Sequence, residues 1–288
     1  MNSISSFSLV MTLLCCFASF SVSAAESHMT NPIPTGTSAV SSSDANSSGE
    51  QESSFFFQPR VWTGVMHLKH DASRLIKSAD GKETHAEIKF ESAMPLLGVG
   101  TVLVYKQFFL DGYVQKAFGG EDAQYSGAYE FEREDYAVSF GYNINDKFTA
   151  FVGYRLGQTI YDTSSTNTGS KGTHYEFKTQ GPFVGLSYTQ PVSNSSLINF
   201  SVGYATLDGE YKESPGGKTE NSSTGLTYGI NWQGSFSSYK NLSYGISLDK
   251  YDYTFDELNT DSSDKQFKYT SNVKDEISTL KFTLRYVF

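Results

Sequence analysis

The sequence lacks several features that mark other classes of protein. It has only two cysteines, Cys15 and Cys16, which lie side by side in an apolar segment near the amino terminus. The rest of the 288-residue chain therefore offers neither a disulfide nor thiolate chemistry. Beyond that segment no run of eighteen or more apolar residues occurs, which excludes transmembrane helices there.

Positive charge and tryptophan are also scarce. The chain has 22 Lys and Arg against 31 Asp and Glu, and its formal net charge is -9. Such a charge makes nucleic acid an implausible partner. Against two Trp there are 19 Tyr and 22 Phe. The mean hydropathy of -0.36 is compatible with a membrane β-barrel, because alternating apolar and polar residues cancel in the average.

The first 54 residues divide into two segments. Residues 1–25 contain an apolar core and no charged side chain, and they end in small residues, so we expect a cleaved signal peptide. A membrane anchor is the alternative, although the core is short for one. Lipid attachment to Cys15 fits poorly, because Leu14 precedes it. Residues 26–54 are rich in Ser, Asn, Thr, Gly and Pro and predict a flexible periplasmic tail. A partner-binding segment or a barrel plug is the alternative for this tail.

The last fourteen residues, 275–288, show the clearest pattern. From Leu280 onward every second residue is apolar or aromatic, and Lys281 and Arg285 are among the residues between them. A period of two predicts a β-strand with one apolar face. The segment is long enough to cross a bilayer, which takes about 9–11 tilted β-residues.

The same alternation recurs along residues 55–288 and predicts about ten strands. Their approximate ranges are 57–69, 95–105, 108–118, 131–143, 147–161, 174–190, 197–211, 223–236, 242–256 and 275–288. The breaks between them alternate in length: residues 71–93 form a long break, for example, and residues 106–107 a tight one. Long extracellular loops and short periplasmic turns are typical of outer-membrane barrels, whereas a soluble sandwich has no reason for this alternation.

The ending Tyr286-Val287-Phe288 resembles the C-terminal signature of Gram-negative outer-membrane β-barrel proteins. The resemblance implies an all-β, transmembrane, antiparallel up-and-down barrel over residues 55–288, with both termini periplasmic. It also implies two kinds of partner. One is the lipid and lipopolysaccharide of the outer membrane, and the other is the barrel assembly machinery, which would recognise Tyr286 and Phe288. The chain is also similar to small opacity-type or OmpA-like barrels, which act in envelope integrity, adhesion or limited permeability.

Alternation also assigns side chains to the lipid or the lumen. A charge facing lipid at mid-depth costs about 2–4 kcal/mol, so charged strand residues are expected to point inward. The predicted lumen charges are Asp111, Arg133, Asp135, Arg155, Asp249, Lys281 and Arg285, with His67 as a weaker candidate. They form either ion pairs that tie a filled barrel together or a constriction that sorts small ions. The many inward glycines either leave volume for water or relieve crowding.

Barrel enzymes provide the remaining comparison. Omptin-like proteases are ten-stranded and use an Asp pair and an Asp-His dyad at the extracellular rim, while lipid-modifying barrels use Ser with His. No motif of this chain matches them residue by residue, and His70 and Asp71, as strand neighbours, should point to opposite faces. We therefore expect no catalysis, no metal site and no cofactor. A structural or surface-interaction barrel is the first hypothesis, a narrow porin-like channel the second and an enzyme the third.

Overall fold

The computed structural model describes residues 55–78, 80–121, 129–163, 174–214, 218–260 and 267–288. The predicted signal peptide and tail lie outside these residues. No helix in the described ranges is long and apolar enough to cross a membrane. The strands are β1 (Phe55–Ser78), β2 (Glu83–Tyr105), β3 (Phe108–Glu121), β4 (Tyr129–Asn143), β5 (Phe148–Thr163), β6 (His174–Ser193), β7 (Ser196–Ser214), β8 (Lys218–Phe236), β9 (Tyr239–Thr260) and β10 (Phe267–Tyr286).

Each strand pairs antiparallel with its neighbours in sequence, and β10 pairs with β1 to close the barrel. At the seam, Arg60 is opposite Arg285, and His70 is opposite Asp275. The last residue adds to this closure, because the Phe288 backbone N–H donates to the Phe57 carbonyl at 3.0 Å. The predicted all-β, ten-stranded, up-and-down barrel is confirmed.

Several strands extend further than the sequence predicted at the end of the barrel opposite the termini. Residues 71–93 were predicted as a long loop, and that prediction was wrong. β1 continues to Ser78 and β2 begins at Glu83, with Lys77 opposite Glu83 and His70 opposite Phe90. The prediction failed because this stretch exposes Lys, Asp and Glu on its outer face. Lipid excludes such a strand, but water does not.

We call the end of the barrel that carries Phe55 and Phe288 the terminal end, and the opposite end the far end. At the terminal end the strands are joined by residues 106–107, 144–147, 194–195 and 237–238. The connections at the far end are residues 79–82, 122–128, 164–173, 215–217 and 261–266. Three of the far-end connections are longer than any at the terminal end, while 79–82 and 215–217 are as short as those turns.

The outer face of the barrel changes from apolar to charged along the barrel axis. In the half near the termini it is a band of exposed apolar side chains that includes Val138, Phe140, Val152, Leu186, Val202, Ile230, Leu248 and Phe282. On β5 this band runs from Phe148 to Leu156, close to the length that crosses a bilayer. Nearer the far end, outward positions carry ion pairs such as Lys116–Glu132, Lys178–Glu176 and Lys250–Glu276. The barrel wall therefore projects beyond the apolar band.

The interior changes in the opposite sense. Polar side chains line it near the termini, whereas the middle and far part enclose an apolar core. The core members include Trp62, Met66, Leu68, Phe90, Met94, Leu96, Phe131, Tyr161, Phe177, Leu207, Tyr211, Phe255 and Ile277. The projecting wall is thus built like a soluble barrel, with charges outside and an apolar core inside. The sequence analysis did not predict this core.

Candidate functional site

The centre of the lumen holds a buried charge cluster built on Asp135 of β4. Arg133 donates to the two Asp135 carboxylate oxygens at 2.9 and 3.3 Å. Arg155 of β5 donates to Asp135 Oδ1 at 3.0 Å, and the Gln115 amide donates to Oδ2 at 3.2 Å. The side chains of Arg133, Asp135 and Arg155 are at most 5% exposed. Buried ions need this degree of pairing, because an unpaired charge in the lumen would be strongly unfavourable.

A second carboxylate extends the cluster across the barrel seam. Asp275 of β10 hydrogen-bonds through Oδ1 to Nδ1 of His70 on β1 at 2.5 Å. Its other oxygen, Oδ2, lies 3.9 Å from Nη1 of Arg133. Both His70 and Asp275 have side chains only 1% exposed. Five titratable side chains from β1, β4, β5 and β10 are therefore connected through the interior.

Tyrosines of β9 hold the other side of the cluster. Arg155 Nη1 donates to the Tyr253 hydroxyl oxygen at 2.7 Å. The Arg155 guanidinium also lies 3.9 Å from the centre of the Tyr251 ring, a cation–π distance. Arg155 is thus fixed from opposite walls of the barrel and spans the lumen.

Aromatic rings cover the cluster on its far-end side. His70 stacks on Phe90 at 4.6 Å between ring centres, and Phe90 stacks on Phe131 at 4.3 Å. Phe177 contacts His70 edge-on at 5.9 Å. The Tyr161 ring lies 5.4 Å from Phe90, and its hydroxyl is hydrogen-bonded to that of Tyr211. We call the rings of Phe90, Phe131, Tyr161, Phe177 and Tyr211 the aromatic layer.

On the terminal-end side of the cluster the lumen contains a cavity of ≈ 310 Å³. Polar residues dominate one part of its wall, including Asn231, Gln233, Asp249 and Arg285 of β8, β9 and β10. Phenyl rings of β3, β5 and β6 form another part: Phe109, Phe151 and Phe183. Arg155 also lines this cavity, so the charge cluster forms its inner boundary.

The inward glycines hold aromatic rings rather than leaving water-sized gaps. A Cβ added at Gly185 would lie 2.3 Å from the Phe151 ring, and one at Gly141 would lie 2.1 Å from the Phe109 ring. Gly225 has the same relationship to Tyr253, at 2.0 Å. The rings lie flat against the neighbouring strand because those positions carry no side chain. Of the two interpretations that the sequence allowed, relief of crowding describes these positions.

All seven predicted lumen charges lie on inward-facing positions. Arg133, Asp135 and Arg155 come together in the charge cluster. Closer to the terminal end, Lys281 pairs with Asp249 at 2.6 Å. Asp111 pairs with Arg60, and Arg285 donates to Gln233 Oε1 at 2.9 Å.

His67 does not belong with them, and that prediction was wrong. It lies on the outer face of β1, 44% exposed, with its Nε2 2.8 Å from Glu91. Three inward groups, Arg60, His70 and Asp275, were missed. The alternation of side chains along β1 and β10 could have identified them. His70 lies on the same face of β1 as Met66 and Leu68, and Asp275 lies on the same face of β10 as Ile277.

A second histidine–carboxylate pair lies near the far rim. His174 Nδ1 is 2.7 Å from Asp162 Oδ1, and both side chains are more than half exposed. Asp162 and His174 alternate with the inward-facing Tyr161 and Tyr175, so the pair lies on the outer wall and not in a cleft. Among the described residues no three His, Cys, Asp or Glu side chains are grouped to hold a metal ion.

No protein-family model matches the sequence, and no curated protein matches it. Solved structures do match. The outer membrane protease OmpT from Escherichia coli aligns with a TM-score of 0.59 and 10% identity, covering 80% of this chain and 97% of that one. The outer membrane protein OprG from Pseudomonas aeruginosa aligns with a TM-score of 0.39 and 12% identity, covering 80% and 95%. The chain has the fold of a Gram-negative outer-membrane β-barrel. At these identities the likeness concerns the fold and not the activity.

Proposed function

We propose that the protein is a non-conducting, non-enzymatic outer-membrane barrel of structural or surface-interaction type. Both termini would be periplasmic, and the far end would project outward from the cell. The observation that carries this proposal is the filled lumen. Between the cavity and the far end, any solute would have to pass the charge cluster and then the aromatic layer.

The charge cluster is a poor selectivity filter, because its charges are already paired with each other. Asp135 accepts from Arg133, Arg155 and Gln115, which leaves little capacity for a passing ion. Separating these partners would leave buried charges uncompensated, so transient opening of the cluster is unfavourable. The aromatic layer adds an apolar barrier immediately beyond it.

The projecting wall is the part of the molecule best suited to a surface role. Its outer lysines, including Lys116, Lys178 and Lys250, lie beyond the apolar band among glutamates. This is the depth at which lipopolysaccharide headgroups would surround the barrel, and we propose lipid and lipopolysaccharide as its neighbours. The apolar core supports this wall without help from lipid.

A narrow channel is the second candidate, and the cavity at the terminal end is the feature that favours it. An enzyme is less well supported. The His70–Asp275 pair is sealed beneath rings, and the His174–Asp162 pair lies on the outer wall. Neither arrangement holds a base within reach of a substrate bound in a cleft.

Conductance of the refolded protein in a planar bilayer tests the proposal. The wild-type protein should show no steady unitary steps, once protease protection has demonstrated insertion. A Phe90→Ala/Phe131→Ala variant thins the aromatic layer and should therefore show brief openings that the wild type lacks. Phe140→Ala, which removes a ring of similar size from the lipid face, serves as the matched control and should stay silent. Steady ion-selective steps from the wild type would overturn the proposal and establish the channel.

A further inference from the structure

The cavity at the terminal end has an excess of positive charge that the described residues do not neutralise. Among those residues its lining contains Arg60, Arg155 and Arg285, but only two carboxylates, Asp111 and Asp249. Asp111 is paired with Arg60, Asp249 with Lys281, and Arg155 with Asp135. Within the described residues no carboxylate lies within 4 Å of the Arg285 guanidinium, whose hydrogen-bond partner is the neutral Gln233.

Unpartnered polar atoms surround this arginine. Gln233 is 4% exposed, and its Nε2 makes no hydrogen bond to the described part of the chain. The Ser243 hydroxyl is a second donor in the same situation, and the Asn231 side-chain oxygen is an acceptor without a partner there. A buried amide donor without a partner, beside an arginine that no carboxylate of the described residues contacts, is unfavourable unless a ligand accepts from both. A carboxylate has the charge and the two acceptor oxygens that these donors need.

The rest of the cavity selects what is attached to the carboxylate. Three rings line one side of the cavity: Phe109 on β3, Phe151 on β5 and Phe183 on β6. The polar groups, Arg285 on β10 with Gln233 and Asn231 on β8, line another part of its wall. Phe151 and Phe183 lie 6.2 Å apart at a T-shaped angle, and each is held against a glycine. A volume of ≈ 310 Å³ is at the small end of the range for ligand pockets and suits one ring with a short acidic group.

We propose that this cavity binds a small aromatic monocarboxylate. Arg285 and the Gln233 amide hold the carboxylate, and the ring lies against Phe151 and Phe183. The site is independent of the role of the far end. It requires no conduction, because the charge cluster closes the cavity on its inner side.

Binding of benzoate to the refolded protein in detergent micelles is the first test. Isothermal titration calorimetry, with empty micelles as the blank, should show saturable binding of benzoate. Benzamide has the same shape without the charge and should bind at least about tenfold more weakly, as expected for loss of a charge-assisted hydrogen bond. Acetate, which lacks the ring, should also bind at least about tenfold more weakly. Failure of benzoate to bind, or equal binding of either analogue, would overturn the proposal without any variant being needed.

Variants then locate the site. Arg285→Gln should lower benzoate affinity at least about tenfold, whereas Arg285→Lys, which keeps the charge, should retain part of it. Lys178→Gln removes one positive charge from the outer wall and should leave the affinity unchanged. Folding of each variant is verified by circular dichroism and by its unfolding midpoint in urea. Unchanged benzoate affinity in a folded Arg285→Gln variant would place binding elsewhere and contradict the assignment.

Discussion

His70 and Asp275 are separated by 205 residues in sequence yet face each other directly across the seam between β1 and β10, with 2.5 Å between Nδ1 and Oδ1. This buried contact joins the first strand to the last. The rings of Phe90 and Phe177 pack against the histidine, so closure of the barrel and formation of its apolar core depend on the same residues.

Removal of the Asp275 carboxylate should therefore weaken the barrel. Asp275→Ala leaves His70 without its partner and Arg133 with one carboxylate fewer. We expect the free energy of unfolding to fall by roughly 3 kcal/mol, the upper end for a buried polar partner left unsatisfied. Glu276→Ala changes the neighbouring, outward residue, whose pairs with Lys274 and Lys250 are largely solvated, and should cost at most about 1 kcal/mol. Urea unfolding in detergent micelles measures both, and equal effects would show that the buried pair is unimportant.

The glycines that hold aromatic rings should tolerate no side chain. In Gly185→Ala the new methyl group would overlap Phe151, and the expected loss is about 1–3 kcal/mol for overpacking. Gly112→Ala is the matched control, because the nearest atom to its added Cβ is the Ala137 carbonyl oxygen at 4.0 Å. That variant should unfold within about 0.5 kcal/mol of wild type, as typical surface substitutions do. If both variants were equally stable, the rings would not be held in the positions described.

The sequence predicted the ten strands and the inward position of Asp111, Arg155 and Arg285, because a membrane demands strict alternation on every strand that it touches. Beyond the apolar band that demand ends. Outward residues such as Lys69 and Asp71 carry charge there, and the pattern becomes indistinguishable from that of a loop. Residues 71–93 were misassigned for this reason.

Contacts between side chains of strands that are distant in sequence could not be predicted, for a different reason. Alternation along β1 predicts that His70 points inward, but it does not predict a hydrogen bond to Asp275. That contact depends on the register between β1 and β10, which is set by how the whole barrel closes. The same holds for the pairing of Arg60 with Asp111. The apolar core was missed because its members lie on the face that alternation had assigned to a polar lumen.

The carboxy-terminal aromatics should matter more for assembly than for stability. Phe288 is 71% exposed and contacts Phe57 and Tyr286 at 5.8 and 4.7 Å between ring centres. Phe288→Ala removes little buried area, so the unfolding midpoint of the refolded protein should change little. If the assembly machinery recognises this residue, the amount of folded barrel in the outer membrane of a Gram-negative host should fall severalfold. Phe236→Ala, which removes an exposed ring at the same end, is the control. Normal outer-membrane levels of the Phe288 variant would contradict a role in recognition.

The change of the outer face from apolar to charged predicts where the membrane ends. Val152 lies in the middle of the apolar band on β5, and Ser73 lies on the outer face of β1 towards the far end, both exposed. Val152→Arg places a charge in lipid and should lower the free energy of unfolding from lipid vesicles by about 2–4 kcal/mol. Ser73→Arg places the same side chain on the projecting wall, in water, and should change it by at most about 0.5 kcal/mol. Equal penalties at both positions would mean that lipid covers the charged wall as well, and the division of the barrel into a membrane half and a projecting half would be wrong.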